Sequence, residues 1–288
     1  MNTGNHSYQH FFFIGIAGTG MSAIAQYLRG TGKKVSGSDR LFSNGEKMLI
    51  QEQFEKQGIN CFFQDASGID QTIDVVVIST AIEETNIELQ KARQLGIPVM
   101  KRSELLAVIS KDRKTIAIGG TSGKSTTTAM IFHILKENGY DPSLMTGAGL
   151  SSIQKLGMPG NAWVGKSEWL VIEADESDGS IVNYVPEIGI VLNIERDHKE
   201  FEELEQLFRT FKHNTRGTFI VNGDRKETAA LSKNAQHDFG NQCGYAGSGF
   251  EQKGFTISFH VNGIPFTIPV IGRHNMENAM AATAAAAA

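Results

Sequence analysis

A chain of 288 residues with 27 Lys and Arg against 31 Asp and Glu carries a formal net charge of −4, which leaves no bulk attraction for nucleic acid or an anionic membrane surface. Its 40% hydrophobic content, 31 glycines and 6 prolines suit an α/β globule long enough for two domains and exclude a low-complexity chain. Two cysteines, Cys61 and Cys243, make neither a disulfide framework nor a metal cluster, as expected of a reducing cytoplasm, and the opening segment is too polar and glycine-broken for a signal or spanning helix.

In chain order, Phe11-Phe12-Phe13-Ile14 reads as a buried strand. It empties into Gly15-Ile16-Ala17-Gly18-Thr19-Gly20, followed by a helical pattern of Met21, Ile24, Ala25 and Leu28 that closes at Gly30 and Gly32. A second strand runs from Val35 to Ser38-Asp39. An acid about 20 positions past a glycine turn in a βαβ unit is what nucleotide-binding α/β domains place at the ligand. The glycine spacing is G-x-x-G-x-G rather than the dinucleotide pattern G-x-G-x-x-G, so a glycine turn that only packs its helix is the competing reading.

The pattern continues with a helix over 46–57, a strand over 60–63, and Asp74-Val75-Val76-Val77-Ile78 running into Ser79-Thr80-Ala81. A β-branched run without alternation implies a strand covered on both faces, as in a parallel sheet. A helix over 88–95, a short strand at 98–100 and a helix over 103–109 with Ser103 as N-cap complete the first domain. The charge cluster 111–114 marks the boundary, giving domains at 1–110 and 111–288.

The second domain opens with a strand over 115–118 that empties into Gly119-Gly120-Thr121-Ser122-Gly123-Lys124-Ser125-Thr126, followed by a helix over 125–138. This is a shortened phosphate loop. Its glycines let backbone N–H groups close on phosphate oxygens, Lys124 supplies a cation, Ser125 offers a hydroxyl to Mg²⁺, and the helix turns its positive end to the same anion. Two further strands, 169–172 and 188–192, deliver Glu173-Ala174-Asp175-Glu176-Ser177-Asp178 and Asn193-Ile194-Glu195-Arg196-Asp197-His198 at the sheet edge where α/β proteins bind ligands. Mg²⁺ prefers oxygen ligands, which Ser125 and Glu173 supply. Imidazole favours softer metals, so His198 is either a ligand or a structural hydrogen-bonding residue. Then follow a helix over 201–211, a strand over 219–221, a hairpin over 255–270 turning at Asn262-Gly263, and an alanine-rich helix from near Asn275 whose end carries no cap.

Four stretches in this order, Gly15 to Ser22 with Val35 to Asp39, Gly120 to Thr127, Glu173 to Asp178 with Asn193 to His198, and Gly272-Arg273-His274-Asn275-Met276-Glu277-Asn278-Ala279, resemble the Mur ligase family. The resemblance implies a Rossmann-like UDP-sugar domain, then a P-loop-type central ATPase with a mostly parallel sheet, and a third domain that is absent from this chain, in keeping with its uncapped end. It implies a cytoplasmic ATP- and Mg²⁺-dependent ligase that joins L-alanine, or in a second version a murein peptide, to the lactyl carboxylate of UDP-N-acetylmuramate through an acyl phosphate, with neither nucleic acid nor membrane as a partner. Carried over position by position, Lys124, Glu173 and His198 would be catalytic. Gly120 to Thr126, Asn275 and Asn278 would bind ATP, and Ser125, Glu173 and His198 would hold metal. Gly15, Gly18, Thr19, Gly20, Met21, Ser22, Ser38, Asp39, Ser79, Thr80, Ala81 and Arg102 would line the UDP-sugar. Two readings from other classes stand beside it: an NAD(P)-dependent oxidoreductase with a regulatory ATP-binding domain, and a nucleotide switch without ligase chemistry.

Overall fold

The structure is a computed structural model, and it describes residues 8–42, 45–195 and 201–288. The chain divides into two compact units, residues 1–112 with 143–165, and residues 113–142 with 166–288.

The first unit is built on β1 (His10–Ile14), α1 (Thr19–Gly30), β2 (Lys34–Asp39), α2 (Leu49–Lys56), β3 (Asn60–Phe63), β4 (Val75–Ile78), α3 (Ile87–Gln94), β5 (Val99–Lys101) and α4 (Arg102–Lys111). Its five strands are parallel in the order β3-β2-β1-β4-β5, a Rossmann-like sheet. Phe11, Phe12, Phe13 and Val75 to Val77 are fully buried, because both faces of these central strands are covered and each apolar side chain leaves water. Two boundaries differ from the sequence expectation. Helix α2 begins at Leu49 rather than 46, since Met48 is still extended. Helix α4 is capped two residues earlier than Ser103: Lys101 is its N-cap, and the Lys101 N–H donates to Glu104 Oε2 at 2.9 Å, the carboxylate half of a capping box.

The second unit starts with β6 (Lys114–Gly119) and α5 (Lys124–Glu137). An antiparallel pair, β7 (Ser143–Met145) and β8 (Ala162–Trp163), brackets the one-turn helix α6 (Ser151–Gln154); these short pieces were not expected from the sequence, and they fall with the first unit. Asn161 shows why: its amide donates to Thr19 O at 2.8 Å and Ser22 Oγ at 2.6 Å and accepts from Gln26 Nε2 at 2.8 Å, all on α1. The second unit resumes with β9 (Trp169–Glu173), β10 (Ile188–Val191), α7 (Phe201–Asn214), β11 (Thr218–Val221), α8 (Lys226–Ala229), β12 (Gly247–Lys253), β13 (Thr256–Val261), β14 (Ile264–Ile268) and α9 (Arg273–Ala287). Strands β11, β10, β6 and β9 pair in parallel in that order. The β13–β14 hairpin turns at Asn262 (φ 50°) and Gly263 (φ 81°) as the Asn-Gly pair requires. The unforeseen β12 adds a third antiparallel strand; its residues lack alternation because few of them are buried. No helix among the described residues is long and apolar enough to cross a membrane.

Candidate active site

The parallel register of the second unit aligns Ile118 with Glu173 and Gly119 with Val191. The ends of β6, β9 and β10 therefore share one edge, and the segments that follow them, 120–123, 174–176 and 192–195, converge there. This is the carboxyl edge where α/β sheets hold ligands.

The phosphate loop keeps its shape through two glycines and one asparagine. Gly120 (φ 130°) and Gly123 (φ 83°) occupy conformations that side chains resist. A Cβ at Gly120 would lie 3.1 Å from Asn193 N, and one at Gly123 would lie 2.6 Å from Asn278 Oδ1. Asn193, buried just past β10, clasps the loop from below: its Oδ1 accepts from Thr121 Oγ1 at 2.8 Å and from Ser122 N at 2.9 Å, its Nδ2 donates to Ser122 O at 3.0 Å, and its carbonyl accepts from Thr121 N at 3.3 Å. Thr121 Oγ1 in turn accepts from Glu195 N at 3.1 Å.

Lys124, the first residue of α5, reaches back over the loop. Its ammonium donates to Gly120 O at 2.7 Å and to both Glu176 oxygens at 3.1 Å, with side-chain exposures of 18% and 8%. Burial pushes the Glu176 carboxyl above the usual range, against the pull of Lys124. A polyphosphate bound at the loop would compete with this carboxylate for the ammonium. Glu176→Gln removes the competitor and is expected to tighten ADP binding about three- to tenfold in calorimetry, the scale of one partly screened charge contact; weaker binding would give Glu176 itself a place at the nucleotide.

Ser125 and Thr126 follow on the first turn of α5, half-buried, and Glu173 ends β9, also half-buried. A hydroxyl and a carboxylate are hard oxygen donors, so this pair fits Mg²⁺. His198, expected as the third metal residue, lies outside the described residues, and among those described no group of three His, Cys, Asp or Glu side chains forms a metal cluster. Asn275 and Asn278 are buried on the first turns of α9, linked by Asn278 Nδ2 donating to Asn275 Oδ1 at 3.2 Å. Asn278 meets the phosphate loop at Gly123. Arg225, absent from the sequence expectations, donates to Glu195 at 2.8 Å and to Glu277 at 3.3 Å and so ties the segments after β10 and β11 to α9.

In the first unit a crevice of about 570 Å³ opens at the carboxyl edge of β1, β2 and β4. Of the expected substrate residues, Gly15, Gly18, Asp39, Ser79 and Ala81 line it. Asp39 is structural as well: its Oδ2 accepts from Ala17 N at 3.0 Å and its Oδ1 from Leu41 N at 3.1 Å, which fixes the glycine turn and the opposite wall. The structure does not bring Thr19, Gly20, Met21, Ser22, Ser38, Thr80 or Arg102 to this lining. Met21, Ser22 and Ser38 are buried, Ser22 within the Asn161 network. Thr19 and Thr80 are exposed beside it. Arg102 lies over the first turn of α1, where a Cβ on Gly20 would be 2.8 Å from its Nη1. Sequence reasoning missed Arg40, Gln64, Glu83 and Asn86, which also line the crevice.

Comparison with known proteins finds matches over both units. The family model "Mur ligase family, catalytic domain" matches residues 10–114, and "Mur ligase middle domain" matches 118–286. The chain is 36% identical over 300 residues to UDP-N-acetylmuramate–L-alanine ligase of Mesorhizobium japonicum, covering 95% of this chain and 62% of that protein, and 38% identical over 292 residues to the enzyme of the same name from Geotalea uraniireducens, covering 95% and 61%. It thus spans about three-fifths of the length of these curated relatives. The crystal structure of UDP-N-acetylmuramate-alanine ligase from Thermotoga maritima superposes with a TM-score of 0.82 at 26% identity, covering 96% of this chain and 64% of that one. That of UDP-N-acetylmuramate:L-alanyl-gamma-D-glutamyl-meso-diaminopimelate ligase from Neisseria meningitides gives 0.78 at 22% identity, covering 97% and 93%, a likeness of fold.

Proposed function

The chain belongs to the Mur ligase family, and on that premise we propose that its protein is an ATP-dependent ligase joining L-alanine to the lactyl carboxylate of UDP-N-acetylmuramate. The relatives' names give UDP-N-acetylmuramate and L-alanine as the ligated pair. The observation that carries it is the braced phosphate loop with Lys124 poised over it at the edge shared with Glu173. The oxidoreductase and switch readings lose their support to the family match over both units.

The chemistry proceeds in two displacements. A lactyl carboxylate oxygen forms a bond to the γ-phosphorus of ATP as the bond to the β-bridging oxygen breaks and ADP leaves. The amine nitrogen of alanine then attacks the acyl carbon, a tetrahedral intermediate forms, and inorganic phosphate departs with the former carboxylate oxygen while the amine proton goes to solvent or a base. Little of this is covalent work for the protein, whose part is positioning and charge neutralisation. In this reading the loop amides of 120–123 hold the phosphates, Lys124 offsets charge on the β- and γ-phosphates, and Asn275 and Asn278 face the adenosine side. Ser125 and Glu173 would hold Mg²⁺, with His198 a further candidate ligand; when bound, the ion neutralises phosphate charge. The first unit's crevice would take the UDP-sugar, with Asp39 in its wall. The free Cys61 and Cys243 suit a cytoplasmic setting.

The test is phosphate release by the full-length protein given ATP, Mg²⁺, UDP-N-acetylmuramate and L-alanine. Release that requires all four is expected. No release with alanine, any other L-amino acid or a murein peptide would overturn the reading.

A further inference from the structure

Glu88 is a carboxylic acid with no exposed surface, one residue into α3. Its helix starts at Asn86, whose side chain caps Glu88 N and Leu89 N at 3.0 Å each and whose surface lines the crevice. Glu88 Oε2 accepts a hydrogen bond from Ser38 Oγ, itself fully buried near the end of β2. In the sheet order, β2 and the β4 that leads into α3 stand on opposite sides of β1. The Ser38–Glu88 bond therefore spans the carboxyl end of β1 beneath the crevice. One wall of that crevice, Asp39 and Leu41, follows directly on Ser38, and the other, Ser79, Ala81 and Asn86, leads directly into Glu88.

We propose that Glu88 is a positioning residue for the ligand of the first unit: its bond to Ser38 fixes the spacing of the two crevice walls. The inference rests on the reading of that crevice as a UDP-sugar site. Buried carboxyls are costly unless paired, and Glu88 Oε1 has no hydrogen-bond partner of good geometry. Glu88 is fully buried and does not line the crevice, so any effect on a ligand there runs through the walls it joins.

Its ionisation gives a readout that a packing residue would lack. Burial pushes the carboxyl up to about 7; the Ser38 bond, the Ala66 backbone and Gln64 oppose the rise, and Asp65, in the loop after β3, adds to it. Lys91, one turn further along α3, is held to Ala66 O at 2.8 Å. Because the folded value lies above the ordinary 4.5, the associated stability is complete below pH 4.5 and is lost as pH rises towards 7. A diphosphate ester in the crevice adds negative charge and binds better while Glu88 is neutral.

Calorimetry with UDP-N-acetylmuramate, whose diphosphate is esterified at both ends and does not titrate in this range, tests the proposal on the full-length protein. The wild type is expected to bind at least threefold more weakly at pH 8.5 than at pH 6.0. Glu88→Gln, which keeps an acceptor for Ser38 but no ionisation, is expected to bind alike at both pH values, close to the wild type at pH 6.0, and to melt a few degrees higher at pH 8.5. Ser38→Ala and Glu88→Ala are expected to weaken this ligand about tenfold, leave ATP affinity unchanged, and speed amide hydrogen exchange in both 39–41 and 79–86, with Glu88→Gln restoring protection. The same pH dependence in Glu88→Gln as in the wild type, or unchanged exchange in both wall segments in the alanine variants, would overturn the proposal. If the wild type fails to bind UDP-N-acetylmuramate at all, the proposed substrate falls, and the exchange measurement still decides the role of Glu88.

Discussion

Lys124→Ala is expected to lower turnover by about three orders of magnitude, within the range seen when a preorganised charge-stabilising group is removed, while the protein stays folded. The ammonium is the loop's own cation, held over it by Gly120 O at 2.7 Å and by Glu176. Without it, charge developing on the transferred phosphoryl group would meet no side-chain cation of the loop, only its backbone dipoles. The same substitution strips Glu176 of its partner. That carboxyl belongs to a buried residue and is already pushed upward by burial, so it takes up a proton rather than stay charged and alone. With its folded-state pKa raised further above the unfolded value, the stability it loses is small at acid pH and grows as pH rises. Melting temperatures of Lys124→Ala should therefore match the wild type near pH 5 and fall below it at pH 8, and Lys124→Ala/Glu176→Gln should recover the difference without recovering activity. Wild-type turnover by Lys124→Ala would remove the lysine from the chemistry.

Asn193→Ala is the second large effect. One side chain makes three hydrogen bonds to the phosphate loop, to Thr121 Oγ1 and to both the N–H and the carbonyl of Ser122. Ser122 is exposed, so water replaces part of what is lost. About 2 kcal/mol remains as the cost, roughly thirtyfold, and it is expected in kcat/KM for ATP. Affinity for the UDP-sugar should not move, since the first unit carries that crevice. Asn193→Asp preserves the acceptor but loses the donor and sets a negative charge under the loop, so it should impair ATP use at least as much as alanine does. Equal losses for both substrates would mean that Asn193 supports the fold rather than the loop.

The sequence disclosed whatever is written in short spacings. Apolar runs into glycine turns marked β1 and β6, the uninterrupted Val75 to Val77 marked a two-sided parallel strand, and Asn262-Gly263 marked a hairpin, because each is a local demand of backbone geometry or burial. Pairings across the fold were not legible. Nothing near Glu176 announces that Lys124, 52 positions earlier, will neutralise it. Asn193 was visible as the residue after a strand, and the rule that ligands gather at strand ends pointed to the place, but its partners at 121 and 122 come only from the parallel alignment of β6 with β10. Ser38 and Glu88 are alike in this: each sits next to a crevice-lining segment in sequence, yet both face inward and meet beneath it. Strands β7 and β8 were missed because two or three residues are too few to show a period, and β12 because none of its seven residues is buried.

The central claim is that the ATP bound at this loop activates a sugar-linked carboxylate. Turnover of UDP-N-acetylmuramate labelled with ¹⁸O in its lactyl carboxylate, with ATP, Mg²⁺ and L-alanine, tests it most directly by mass spectrometry of the released phosphate. An acyl phosphate route delivers one ¹⁸O atom to each inorganic phosphate from doubly labelled substrate. Phosphate released with no label, its fourth oxygen coming from water, would contradict the account.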